Sequence, residues 1–179
     1  MIEDTVKREP RYVGFWKRVL AFLIDTLILL TVIIAIALAL YGRQYVTLSS
    51  EGKTLLFDII VQGVMPAVVA ILFWKFRGAT PGKMLMGARI VSANTLGPPS
   101  TGQLIGRYFA YLVSMLPSIV VSVAIIATAM LLAREDLKLW LAITPLLMWG
   151  FFWIAFDKRK QGWHDKLAGT VVIYDEENG

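Results

Sequence analysis

The apolar positions of this chain fall into four long runs. Val19 to Tyr41 reads VLAFLIDTLILLTVIIAIALALY, with Asp25 as its one charge. Leu55 to Phe73 reads LLFDIIVQGVMPAVVAILF, with Asp58 as its one charge. Tyr111 to Leu132 carries no charge, and neither does the shorter run Leu139 to Phe156, which holds Trp140, Trp149 and Trp153. A bilayer needs about 20 apolar residues at 1.5 Å rise, so each run is long enough to cross one. The alternative is a set of buried core helices, but four such runs in 179 residues leave almost no polar face to meet water. The pattern predicts an all-α membrane protein. It is a four-transmembrane-helix bundle with spans over about 19–41, 55–76, 107–132 and 139–156 and a tail over 157–179, all in one domain.

The segments between the runs predict smaller elements. Pro81 and Gly82 open a short turn of helix over Lys83-Met84-Leu85-Met86, and Gly87 closes it. Ala88 to Val91 reads as a brief strand, Asn94 to Pro99 as a turn cluster, and Ser100 or Thr101 as the cap of the next helix. Thr170-Val171-Val172-Ile173 is a second β-branched run. The two runs are expected to pair as a small two-stranded β-sheet against the membrane face, beside the short interfacial helix.

Charge sets the orientation. The first 18 residues hold Lys7, Arg8, Arg11, Lys17 and Arg18, and the segment 75–110 holds Lys75, Arg77, Lys83, Arg89 and Arg107. The tail adds Lys158, Arg159, Lys160 and Lys166. The two remaining segments carry only Arg43 and Lys53, then Arg134 and Lys138. Of 18 basic residues, 14 therefore lie on one side, which predicts both termini in the cytoplasm and a multi-pass protein of the inner cell membrane. The first run is too long for a signal-peptide core and contains Asp25, so it is expected to remain as an anchor. Trp16, Trp74, Trp140 and Trp163 fall near span ends, as interfacial belts do.

Composition narrows the chemistry. Hydrophobic residues make up 57% and charged residues 17%, which excludes a disordered chain and a nucleic-acid-binding basic domain. There is no cysteine, so disulfides, thiolate catalysis and Cys-ligated metals are excluded, and with one histidine, His164, a His-rich site is too. No Walker loop and no G-x-S-x-G is present, so neither an enzyme nor a cofactor is expected. His164 and Asp165 are sequence neighbours, which does not suit a catalytic dyad, and His164 is expected to tie the tail to the spans.

Two carboxylates lie inside spans, where a charge is costly and needs a partner or a wet cavity. Arg18 precedes Asp25 by seven residues on the same face, about 10 Å away along the axis, too far for a direct pair. Both can converge on a group from another segment, with Asp165 and Asp157 as candidates, and Arg107 is a further partner for Asp25. Asp58 and Gln62 share a face, and Pro66 is placed to loosen that helix. Ser114, Ser118 and Ser122 step by four and read as a packing stripe.

These residues resemble the RDD family of integral membrane proteins, named for an arginine at the head of its first span and two aspartates. GFWKRVLAFLID (Gly14–Asp25) is similar to the family's opening, with Arg18 and Asp25 at the matching positions. RGATPGKMLMGARIV (Arg77–Val91) resembles its Gly-Lys landmark, and KRKQGWHDKLAGTVVI (Lys158–Ile173) its closing landmark, with Asp165 as the second aspartate. Arg107-Tyr108 also fits. The lead Ala79-Thr80-Pro81 departs from the family's threonine-rich pattern at a turn. The resemblance implies a transport role, with sodium–proton antiport among some members.

Two functions follow. One is a small transporter or cation/proton antiporter-like protein of unknown substrate, with Asp25 as the candidate monovalent-cation or proton site, tuned by Arg18, in a homo-oligomer. The other is a non-transporting accessory protein in which Arg18, Asp25 and Asp165 form a polar lock that docks the tail on the bundle. The basic face is also expected to attract anionic lipids of the bilayer. Nucleic acid is not an expected partner.

Overall fold

A computed structural model describes residues 10–131 and 149–175. Most of them are helical. Helix α1 runs over Phe15–Tyr41 without a polar side-chain cap. At Gly42 the backbone turns to φ 60°, which favours glycine, and a 3₁₀ turn over Gly42–Gln44 leads into α2, Tyr45–Ser50. The segment 42–54, which lies between the first two apolar runs, thus stays largely helical. Phe57 packs edge-to-face with both Tyr41 and Tyr45 there, which a polarity pattern does not register.

Helix α3 covers Leu55–Arg77 and contains a π-helical stretch over Asp58–Val64. Pro66 explains it. Proline has no N–H and its ring crowds the carbonyl four residues back, so the ladder widens upstream. The Met65 amide accordingly bonds the Ile60 carbonyl. Among the described residues, Phe15–Ser50 and Leu55–Arg77 are the two helical stretches long and apolar enough to cross a membrane.

The short helix α4, Pro81–Leu85, follows the turn at Gly78 (φ 70°) and leads into strand β1, Ala88–Ser92. Helix α5 spans Thr101–Leu131, beginning six residues before the predicted span. Its start is set by a capping box: the Gln103 amide donates to Ser100 Oγ at 3.2 Å, and the Ser100 amide to Gln103 Oε1 at 3.0 Å. Of the fourth predicted span, 139–156, only α6, Trp149–Phe156, is described; Trp140 lies outside the described residues. A helix not foreseen from sequence, α7, covers Trp163–Leu167, and strand β2 covers Thr170–Tyr174.

The two strands pair antiparallel, with Arg89 opposite Ile173 and Val91 opposite Val171. The predicted sheet is therefore present, one residue longer in each strand. The lead into α1 joins its open edge: Tyr12 bridges Ile173, the Val13 amide donates to the Val172 carbonyl at 3.0 Å, and the Tyr174 amide to the Arg11 carbonyl at 3.0 Å.

The dry core sits under this sheet rather than between the long helices. Val13, Trp74, Ala88, Ile90, Leu104 and Val172 are buried together, with Tyr108, Tyr111 and Met86 packed around them. Along α1 and α3 the large apolar side chains, Leu27, Ile34, Leu56 and Ile59 among them, instead point outward. An apolar exterior over a polar-tied end layer suits a lipid-facing shaft. Trp74 corrects the aromatic-belt expectation: it is 4% exposed and belongs to this core, whereas Trp16 is 75% exposed.

Candidate functional site

Two polar centres lie at the sheet end of the molecule. The first is built around Asp165. Helix α7 begins after Gly162, whose amide donates to Asp165 Oδ2 at 2.9 Å. Arg18, one turn into α1, donates from Nη1 to the same oxygen at 2.5 Å and from Nε to the Val13 carbonyl at 3.0 Å. Arg107 of α5 pairs with Asp165 Oδ1 and donates from Nη1 to Thr170 Oγ1 at 2.5 Å. One carboxylate thus ties α1, α5 and α7, and through Thr170 it reaches β2. All three charged side chains are buried. Burial alone raises a carboxyl pKa, but the Arg107 and Arg18 charges outweigh it and hold Asp165 well below the usual carboxylate range.

His164 faces the same centre. Its ring stacks on Tyr111 at 3.9 Å between centroids, and Tyr111 stacks on Trp74 at 6.0 Å. The Arg107 guanidinium lies 5.6 Å from the centroids of both Trp74 and Tyr111, a cation–π arrangement. Burial, with Arg107 and Arg18 nearby, lowers the His164 pKa to about 3 against the opposing pull of Asp165, so the ring is neutral at pH 7. The tail is therefore joined to α5 by a ring stack as well as by charge.

The second centre is Asp25. Its partners come from the turn into α4: Thr80 Oγ1 donates to Oδ2 at 2.5 Å and the Gly82 amide to Oδ1 at 2.7 Å. Lys83 Nζ stands 3.9 Å from Oδ2. Gly82 packs so closely on α1 that a Cβ there would run into the Ala21 carbonyl oxygen. This separates what the sequence reading placed together. Arg18 and Asp165 meet, but Asp25 is not in that lock and contacts neither Arg18 nor Arg107. Arg18 is drawn to Asp165 because its Nε is anchored on Val13, which turns the guanidinium toward the tail.

The remaining candidates are elsewhere. Asp157 pairs with Lys166 at 2.5 Å and accepts the Arg159 and Gln161 amides at 3.0 and 3.1 Å, shaping the turn before α7. Asp58 accepts from Tyr45 Oη at 2.8 Å, Thr54 Oγ1 at 2.9 Å and Gln62 Nε2 at 2.5 Å, near the far end of α3 from Asp25. Ser114 is buried and bonds back to the Ala110 carbonyl at 2.7 Å. The side chains of Ser118 and Ser122 lie outside the described residues. Sequence reasoning missed Thr80, Lys83 and Tyr111. The Thr-Pro-Gly-Lys spacing, with a hydroxyl and an ammonium three apart at a helix start, was the available signal for the first two. No group of three or more His, Asp or Glu residues suited to a metal ion occurs among the described residues.

An end layer stapled by arginine–aspartate pairs beneath long, outwardly apolar helices defines a membrane protein. The RDD family model matches residues 12–169, and the chain belongs to that family. The chain is 31% identical over 133 residues to the uncharacterized protein RP437 of Rickettsia prowazekii, a match that covers 73% of this chain and 58% of that protein's length. It is 28% identical over 178 residues to the uncharacterized protein YxaI of Bacillus subtilis, covering 90% of this chain and 96% of that one. No solved structure matches.

Proposed function

We propose that this protein is a four-span cation or proton transporter of the inner cell membrane, with both termini cytoplasmic and Asp25 as its ion-binding carboxylate. Support for the topology comes from the sheet. The Tyr12–Val13 lead, β1 and β2 touch one another, so they share one side of the bilayer. An even number of crossings then separates each from the next. The stretches α1 and α3 supply two between Val13 and β1. Helix α5 needs one companion before β2, which the apolar run 139–156 supplies. The 14 basic residues that the sequence assigns to this side support reading it as cytoplasmic. Exposed Lys17, Lys75 and Arg77 beside exposed Trp16 and Phe76 suit contact with anionic lipid.

The observation that carries the transport reading is the division of labour between the two aspartates. Asp165 is buried and consumed by two arginines, as a structural tie would be. Asp25 lies about 15 Å along α1, partly exposed, and among the described residues holds only a hydroxyl, an amide and a lysine at 3.9 Å. A carboxylate left without a guanidinium in an apolar helix is available to exchange cations. Four spans enclose little volume, so the pathway is proposed to form in a homo-oligomer. The reading is that of a transporter, not an enzyme.

The accessory reading is favoured by the Arg18–Asp165–Arg107 cluster itself, which docks the tail without any role for ions. Cation-driven proton movement in proteoliposomes separates the two. Transport requires flux in the wild type and its loss in Asp25→Asn, while the accessory reading requires none in either.

A further inference from the structure

Every polar partner of Asp25 recorded among the described residues comes from one short stretch, Thr80 to Lys83. Lys83 is the only cation of that set. Its Nζ lies 3.9 Å from Asp25 Oδ2 and donates to Thr80 Oγ1 at 3.2 Å, and its side chain is 12% exposed against 21% for Asp25. The ammonium thus neutralises the carboxylate from just outside hydrogen-bonding distance, while leaning on the same hydroxyl that bonds it. The backbone beneath is fixed, because Gly82 donates to Asp25 and is pressed against the Ala21 carbonyl. The carboxylate and the hydroxyl are held still, and the ammonium hangs on a four-carbon stem that can swing away.

Among the described residues, the two buried guanidiniums of this end cannot take its place. Arg18 and Arg107 are both engaged by Asp165. If Lys83 leaves, Asp25 is an unpaired charge at the edge of a low-dielectric layer, which is unfavourable. A cation arriving as Lys83 leaves keeps the local charge constant.

We infer that Lys83 is the resident counter-cation of the Asp25 site, and that a monovalent metal cation binds there by displacing the Lys83 ammonium, with Asp25 Oδ2 and Thr80 Oγ1 as its oxygen ligands. The inference rests on the reading of Asp25 as an ion site and adds how that site is kept occupied when no ion is bound. Two like charges cannot share one carboxylate at about 4 Å without strong repulsion. The Lys83 charge therefore sets the affinity for the incoming ion.

The test is equilibrium binding of radiolabelled Na⁺ to the purified full-length protein, with Na⁺-driven proton flux measured on the same preparations in liposomes. Lys83→Gln keeps length and polarity and removes the charge; it should bind Na⁺ at least about tenfold more tightly than wild type. Lys83→Arg should bind more weakly than wild type, because a guanidinium can clamp the carboxylate through two bonds. It covers the case in which Lys83→Gln does not fold. Adding Thr80→Val to Lys83→Gln should reverse the gain. If Lys83→Gln and Lys83→Arg both bind like wild type while Asp25→Asn loses binding and flux, the Lys83 inference is wrong and the Asp25 reading stands. If neither wild type nor any Lys83 variant binds or moves Na⁺, both are wrong.

Discussion

Arg18 and Asp165 are 147 residues apart in sequence and meet through a 2.5 Å hydrogen bond in a site closed to solvent. Asp165 also holds Arg107, so one carboxylate balances two guanidiniums. Removing it leaves two buried positive charges unbalanced, while removing Arg18 leaves Asp165 still paired. Breaking a buried pair from one side costs about 3–5 kcal/mol. Asp165→Asn should reach that range, and Arg18→Met should cost clearly less. Apparent melting temperatures of the two variants in one detergent check the order; equal losses would contradict it.

The protonation of the tail predicts a pH dependence. The folded-state pKa of His164 is lowered to about 3 from 6.5, so the unfolded chain takes up the proton first as pH falls. The stability His164 contributes is complete above pH 6.5 and is lost as pH falls from there toward 3. Asp165, also lowered, adds loss only below about pH 4, its unfolded range. His164→Phe keeps a ring to stack on Tyr111 and removes the titration. The fall in melting temperature between pH 6.5 and 4.5 should therefore be shallower in this variant than in wild type.

At Gly82 the contact with α1 is limiting. A methyl group there meets the Ala21 carbonyl oxygen, which is backbone and cannot rotate away. Gly82→Ala should push α4 off α1, weaken the Thr80 and Gly82 bonds to Asp25, and destabilise by about 1–3 kcal/mol. Faster hydrogen exchange over Pro81–Leu85 with little change in β2 is the expected pattern.

The sheet register is testable because the chain has no cysteine of its own. Arg89 and Ile173 are directly opposite across the strands. Directly paired residues have Cα atoms about 4.5–5.5 Å apart, within disulfide range. The double variant Arg89→Cys/Ile173→Cys should oxidise to one intramolecular bridge, read as a mobility shift reversed by reductant. Failure to cross-link would remove the contact on which the shared-side argument depends.

How much of this the sequence carried depends on the range of each interaction. Both strands, the short helix opened by Pro81 and the Ser100 cap are local, and their residues predict them to within one or two positions. The π-helical stretch was foreshadowed only by Pro66. The partners of Asp25 and Asp165 are long-range. Helix spacing put Arg18 and Asp25 on one face, and that shared face suggested a shared partner. It does not say that Val13 anchors the Arg18 Nε and turns its guanidinium to the tail, or that Gly82 brings α4 against Ala21. The apolar residue Trp74 was misplaced for the same reason: its position near a span end suits lipid, while its contacts with Arg107 and Tyr111 suit a core.

The central claim is that Asp25 is an ion site and Asp165 is not. Asn retains an oxygen that accepts the Thr80 or Gly82 hydrogen bond, so Asp25→Asn removes the charge with little change in shape. Na⁺-driven proton movement in proteoliposomes, measured for wild type and Asp25→Asn at equal reconstituted amounts, is the most direct measurement. The account predicts flux in wild type and at most background in Asp25→Asn, with both proteins folded by their melting curves. Equal flux in the two, or none in wild type, would contradict it.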